Sequence, residues 1–314
     1  MWLLYSLTAA VTYAFLNIGM AALVRELPLL PVLTAVSALT TLMLLPFFIF
    51  VVYKEHTAGR KVIPNRLGLK ALLLASGMDF LGVLMFSLAL KWGPISVVTP
   101  LRQTVPLFSL IFAPRFLSEH TGRMQKIGIA LVVLSASVLV WTTYNGNTPD
   151  SSGFTPPVLA ALTLALGVAI ISAFILIANK YATAQQYGKI TPLIFTTLDH
   201  ALLALLFAIL TFLYHGTLLP VEMLIIKTSA LLLIISLSAL SSLTSFCIIK
   251  ACQIGDTVKV SPVIRLSVLL SVIFGGALFV EAHLWLRIIA SIVFIIGLLP
   301  VIIFQEKKKQ TVSV

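Results

Sequence analysis

Long apolar runs, almost free of charged side chains, follow one another along the whole chain. A membrane-spanning helix needs about 20 consecutive apolar residues, so these runs predict ten spanning helices. The runs are too long and too rich in leucine for the alternating pattern of a membrane β-barrel. The sequence therefore predicts an all-α integral membrane protein. Its predicted helices cover residues 2–24, 27–53, 71–90, 94–114, 127–141, 158–179, 191–213, 229–249, 258–280 and 288–304.

The composition supports this class and leaves little room for an enzyme. Hydrophobic residues make up 60% of the 314 residues and charged residues 10%, whereas a soluble domain has about 25% charged residues. We find no phosphate-binding glycine loop, paired-histidine motif or serine nucleophile motif. We therefore expect no catalytic residue, no metal and no cofactor. Cys247 and Cys252 lack metal or disulfide spacing, which favours buried thiols.

The distribution of positive charge predicts the topology. The net charge is +11, and membrane proteins collect Lys and Arg in their cytoplasmic loops, so we expect no nucleic-acid partner. Of the 21 basic residues, 15 fall on one side of the ten helices, four on the other and two within the membrane. The four on the sparse side are Arg25, Lys91, Lys227 and Arg287. Both termini are therefore predicted to be cytoplasmic, in a bacterial inner membrane.

The two halves of the chain repeat at an offset of 162 residues. The matching pairs are Asn17 with Asn179, Gly93 with Gly255, Pro100 with Pro262, and Glu119 with Glu281. Each half contains five predicted helices, an odd number, so the second half must be inverted, as in many secondary transporters. We thus expect a first repeat at 1–145, an extracytoplasmic linker at 146–157, a second repeat at 158–304 and a basic tail at 305–314 that can contact anionic lipid.

The repeated motif resembles a known family. The segments that carry the resemblance are Pro100-Leu101-Arg102-Gln103-Thr104-Val105-Pro106 and Ser261-Pro262-Val263-Ile264-Arg265, each leading to a Phe-rich stretch that ends in Glu. They are similar to the repeat of EamA-type transporters in the drug/metabolite transporter superfamily. The resemblance implies ten helices in two inverted groups of five and a transport function. Arg287 and Ala290 stand where the first half has Gln125 and Gly128, so strict functional symmetry is not expected.

Four charged residues lie inside predicted helices: Arg102, Arg265, Asp79 and Asp199. Each costs about 2.5–3.5 kcal/mol at a helix centre on insertion scales, so each needs a reason. In one interpretation the arginines bind an anionic substrate, because guanidinium holds carboxylate or phosphate bidentately. In the other, the arginines pair with the aspartates as ties between helices. The two interpretations are compatible if a pair of arginine and aspartate opens when substrate arrives.

Further polar residues are weaker candidates. Asp79 and Asp199 could carry protons, because an apolar site favours the neutral form of a carboxyl group. His200 could titrate near neutral pH. However, adjacent helix residues point about 100° apart, so one of Asp199 and His200 is expected to face away from the cavity. Asn17 is a candidate substrate ligand, although an Asn in a membrane helix commonly serves packing.

Three prolines flank the intramembrane arginines, and we expect them to bend their helices beside a central cavity. These residues are Pro100, Pro106 and Pro262. The cavity should be lined by the first four helices of each half. Glu119 and Glu281 lie at predicted helix ends, where they would brace loops rather than contact substrate.

These features favour a secondary transporter for a small polar, carboxylate-bearing metabolite, with membrane lipids as its surroundings. The alternative is a transporter or flippase of a phosphate-bearing or lipid-linked substrate, which would need an open lateral portal. An integral membrane transferase would need polar residues clustered at one membrane face.

The topology can be tested by labelling single cysteines from one side of the membrane. We expect Asn147→Cys and Thr57→Cys to react from opposite sides with an impermeant thiol reagent, because the 15-to-4 distribution of basic residues places these two loops on opposite sides. Labelling of both from the same side would overturn the ten-helix count.

Overall fold

The computed structural model describes residues 1–58, 65–117, 156–184, 190–217, 228–279 and 284–303, together with scattered residues between 127 and 141. Helices account for nearly all of this part of the chain, which contains no strand. The prediction of an all-α membrane protein is confirmed. Glu119, Glu281, most of the linker and the basic tail lie outside the described residues.

The first half contributes five labelled helices. They are α1 (Trp2–Glu26), α2 (Leu29–Thr57), α3 (Arg66–Trp92), α4 (Ile95–Arg102) and α5 (Val105–Leu117). The residues described between 127 and 141 are also helical, in line with the fifth predicted helix.

The second half is built in a similar order. It contains α6 (Pro156–Thr183), α7 (Pro192–His215), α8 (Thr228–Ile254), α9 (Thr257–Ile264), α10 (Ser267–Leu270), a π-helical turn (Ser271–Gly275), a short helical turn (Gly276–Leu278) and α11 (Leu284–Ile303). Within the described ranges, seven helical stretches are long and apolar enough to cross a membrane: α1, α2, α3, α6, α7, α8 and residues 257–278, which include α9 and α10. Residues 95–117, which include α4 and α5, make an eighth if this bent segment is one span.

The predicted fourth and ninth helices are each interrupted at an arginine. Pro106, at the start of α5, has no N–H to donate to the carbonyl of Arg102, so the helix stops there. The connection is a tight turn in which the Thr104 N–H bonds the Leu101 carbonyl at 3.2 Å. On the other side, α9 ends at Ile264, and the Val268 N–H bonds the Arg265 carbonyl at 3.0 Å.

These breaks correct the predicted role of two prolines. Pro100 and Pro262 are buried inside α4 and α9, and the helices remain continuous through them. The breaks follow two or three residues later, at the arginines themselves. A proline removes only its own hydrogen bond to the carbonyl four residues earlier, so the residues after Pro100 and Pro262 can continue the helix.

Helices of the first half pack mainly against helices of the second half. The three most extensive pairings in the described part are α3 with α6, α2 with α7 and α1 with α8. Small and hydroxyl side chains allow close approach: a Cβ at Gly19 would lie 2.5 Å from Leu237, and Thr244 donates to Thr12 at 2.7 Å. Small residues and interhelical hydroxyl bonds are the usual means of helix association in lipid.

Gly77, within α3, and Gly93, directly after it, provide a matched test of this packing. A Cβ at Gly93 would lie 2.8 Å from Val98 and 2.9 Å from Ala161, whereas a Cβ at Gly77 meets nothing within 4 Å. We expect Gly93→Ala to destabilise the protein by about 1–3 kcal/mol through overpacking. Gly77→Ala should be neutral or stabilising by up to about 1 kcal/mol, because alanine favours helix. Thermal unfolding in detergent measures both, and equal midpoints for the two variants would contradict the packing described.

Candidate functional site

A polar cavity of about 160 Å³ lies at the centre of the helix bundle. Helices α1, α2, α3, α6, α7 and α8 line it, together with the two arginines at the helix breaks. Its charged and amide side chains are Asn17, Asp79, Arg102, Asn179, Asp199 and Arg265. The structure thus brings all five predicted substrate ligands into one cavity. Pro100, Pro106 and Pro262 are buried nearby but do not line it.

Arg102 is held by aromatic rings. Its side chain is 9% exposed, and its guanidinium carbon lies 3.8 Å from the centre of the Phe86 ring and 4.9 Å from that of Tyr13. Aromatic faces attract a cation without neutralising its charge. The Arg102 Nε finds no hydrogen-bond partner among the described residues. The group therefore keeps both its charge and an unused donor.

Arg265 is held by an amide of the other half. It is 4% exposed, and its Nη1 donates to Gln103 Oε1 at 2.5 Å. Gln103 in turn donates through Nε2 to Ser267 Oγ at 3.2 Å. Gln103 and Arg265 are 162 residues apart, the offset of the sequence repeat, so equivalent positions of the two halves meet here. The Arg265 Nε also lacks a partner within the described part.

Asp79 and Asp199 form a carboxyl pair. Their side chains lie within hydrogen-bonding distance of each other, and Ser76 Oγ donates to Asp199 Oδ1 at 2.6 Å. Two carboxyl groups can share a hydrogen bond only when one of them keeps its proton.

The expected ties between arginine and aspartate are absent. No ion pair joins Arg102 or Arg265 to Asp79 or Asp199 in the part of the chain that the structure describes. Arg102 stacks on Phe86, which lies seven residues beyond Asp79 on α3, or about 10 Å along the helix axis. The arginines thus contact aromatic rings and an amide, whereas the aspartates contact each other.

Asp199 and His200 both line the cavity, so the expectation that one of them faces away is wrong. Asp199 accepts a bond from Ser76 of α3, and His200 Nε2 lies 3.0 Å from Ser245 Oγ of α8. The cavity extends from α7 toward both neighbouring helices, which is why two adjacent positions can reach it.

Sequence reasoning missed four residues that shape this region. Tyr13 and Phe86 contact the guanidinium groups, and Gln103 binds Arg265. Only Gln103 carried a usable signal, because it is the repeat partner of Arg265. Arg287 was counted as a loop cation, yet it is 3% exposed and donates through Nη1 to Ser96 Oγ. Helix α11 begins four residues earlier than predicted, which carries Arg287 into the bundle.

Comparison with known proteins finds a family match in the first half of the chain. Residues 1–141 match the model of the EamA-like transporter family. The first half of the chain is therefore similar to EamA-like transporters. EamA-like proteins are part of the drug/metabolite transporter superfamily. No curated protein matches its sequence.

Comparison with solved structures supports the fold of the chain. A crystal structure is similar with a TM-score of 0.68, at 16% identity and over 95% of each chain. At that identity the likeness concerns the fold alone, and it extends over both halves.

The contact between Gln103 and Arg265 can be tested by two substitutions of one residue. Gln103→Ala leaves a buried guanidinium with one partner fewer and should lower stability by about 1–3 kcal/mol. Gln103→Glu keeps an acceptor and adds an opposite charge, so its stability should stay near that of the wild type. Thermal unfolding in detergent distinguishes the two variants. A Gln103→Ala protein as stable as the wild type would show that Arg265 does not depend on this bond.

Proposed function

We propose that this EamA-like protein is a secondary transporter that moves a small carboxylate-bearing metabolite by alternating access. The observation that carries the proposal is the pair of buried guanidinium groups at the central cavity, neither of which has an acidic partner in contact within the described residues.

The charges of the cavity favour an anion. Arg102 and Arg265 bring two positive charges, and we propose that Asp79 and Asp199 share one proton and so bring a single negative charge. A buried, uncompensated charge costs several kcal/mol, and an incoming anion removes that cost. A carboxylate also suits guanidinium because it accepts two parallel hydrogen bonds. The substrate anion therefore balances the excess positive charge of the site.

The size of the cavity favours a small substrate. Its volume of about 160 Å³ is smaller than the roughly 300–1,000 Å³ of pockets that hold drug-sized ligands. An amino acid or a short hydroxy acid is of this size, whereas a nucleotide sugar is far larger. A small phosphate ester would satisfy the same arginines and is the second candidate.

The helix contacts fit the proposed arrangement of two inverted five-helix repeats. Gly93 and its repeat partner Gly255 end α3 and α8, and each carbonyl accepts a hydrogen bond from a cation: Arg25 at 3.0 Å and Lys180 at 3.3 Å. Arg25 and Lys180 lie near the ends of α1 and α6, the first helices of the two halves.

Contacts between the halves at the two ends of the bundle fit alternating access. Near one end the Arg25 guanidinium lies 4.3 Å from the centre of the Phe279 ring. Near the other end Tyr181 donates its hydroxyl to the carbonyl of Phe116. We propose that opening toward one side of the membrane breaks one of these contacts and keeps the other. The protonated carboxyl pair, Asp79 with Asp199, is then the proposed site of proton coupling.

Transport by arginine variants tests the proposal. In vesicles that contain the purified protein, Arg102→Ala should reduce capture of carboxylate substrate chiefly from outside, and Arg265→Ala from inside, because α4 and α9 enter from opposite faces. Lysine at either position should rescue only partly, since it lacks the bidentate fork. Arg287→Lys is the matched control, because Arg287 is buried but lies away from the cavity.

The proposal fails if both alanine variants, folded as judged by thermal unfolding, transport normally in both directions. The arginines would then be structural. Transport that is equally lost in Arg287→Lys would show that the effect is not specific to the cavity.

A further inference from the structure

A second groove lies on the outside of the bundle, between the first half of α3 and the last half of α6. Its volume is about 410 Å³, and its lining is almost wholly apolar. The main side chains are Leu67, Leu74 and Met78 of α3, and Phe174, Ile177 and Tyr181 of α6. Residues recurring every three or four positions form one face of a helix, so the groove runs along both helices.

The groove faces the lipid and has the length of one leaflet. Leu67 is 47% exposed, Leu74 is 55% exposed, and Phe116 at its edge is 45% exposed. In a membrane such surfaces meet acyl chains. From Leu67 to Met78 the helix rises about 16 Å, close to half of the roughly 30 Å hydrocarbon core.

Lys70 is the charged residue of the groove lining. It lies one turn after the start of α3, where that helix leaves the membrane surface, and its long side chain can extend to the headgroup level. Arg66 and Arg115 are exposed near the same end of the bundle. A cation placed there attracts the phosphate of an anionic lipid, at about 1 kcal/mol per basic residue.

The groove is separate from the transport cavity. The two share no lining residue, although both touch α3 and α6. Asp79 and Asn179 of these helices face the cavity, whereas Met78 and Ala178, one position earlier, face the groove. A molecule in the groove is therefore not the cargo of the central site, and it lies along the most extensive helix pairing of the described part.

We propose that this groove is a binding site for one acyl chain of an anionic phospholipid from the leaflet on the N-terminal side of the membrane, with Lys70 paired to the headgroup phosphate. The apolar walls select the chain, and the charge of Lys70 selects the headgroup. A lipid bound in this groove contacts both α3 and α6, and its binding does not depend on the substrate in the central cavity.

Lipid binding to the purified protein tests this site by native mass spectrometry in detergent. Phosphatidylglycerol and phosphatidylcholine with identical acyl chains are compared, together with inorganic phosphate alone. We expect the wild type to prefer the anionic lipid about fivefold, which is the ratio that 1 kcal/mol gives. Inorganic phosphate alone should not bind, because the apolar walls hold the chain.

Three variants locate the effect. Lys70→Ala should abolish the headgroup preference, and Leu74→Trp, which fills the groove from its exposed side, should weaken binding of both lipids. Lys91→Ala, at the opposite end of α3, is the matched control and should behave as the wild type. Equal binding of both lipids by the wild type, an unchanged preference in Lys70→Ala, unchanged lipid binding in Leu74→Trp, or binding of phosphate alone would each overturn the proposal.

Discussion

Two positive charges are buried at the centre of a membrane protein, and each is held by groups that cannot neutralise it. Arg102 lies against the rings of Phe86 and Tyr13, and Arg265 donates to the amide of Gln103. Both arginines stand where a helix stops, so the backbone breaks and the charges occupy the same region of the bundle. Lipid-exposed backbone could not break in this way, because its polar groups would lack partners. Helix breaks are tolerated here because they lie inside protein, beside a polar cavity.

The same arrangement explains why the aspartates matter without forming ion pairs. Asp79 and Asp199 lie on the wall of the cavity, where Ser76 donates to Asp199, and neither forms an ion pair with Arg102 or Arg265 among the described residues. In the proposed function the carboxyl pair holds one proton, and the two arginines then leave an excess of positive charge that an anion can compensate. A substrate anion can then bind the arginines without first breaking an internal salt bridge. In the proposed alternating-access cycle, the substrate-loaded cavity is then the favoured state for the change between outward and inward opening.

The long elements were predictable from sequence because a charge-free run of about 20 residues has few structural alternatives in a membrane. The intramembrane charges were predictable as candidates for the same reason, since each needs a compensating environment. The finer geometry of the site was not predictable from the sequence. A pattern of residues does not say which neighbour a side chain meets, so the stacking of Arg102 on Phe86, the exposure of both Asp199 and His200 to the cavity, and the burial of Arg287 needed coordinates. Gln103 is the exception, because the 162-residue offset that relates it to Arg265 is readable from the chain.

The central claim is that the cavity recognises a carboxylate through its two arginines. The most direct measurement is the thermal stability of the purified protein in the presence of small carboxylic acids, each compared with its neutral primary amide. The account predicts that some acids raise the unfolding temperature, that their amides do not, and that the shift disappears in the Arg102→Ala/Arg265→Ala double variant. A shift of equal size for acid and amide, or one that persists in the double variant, would contradict it.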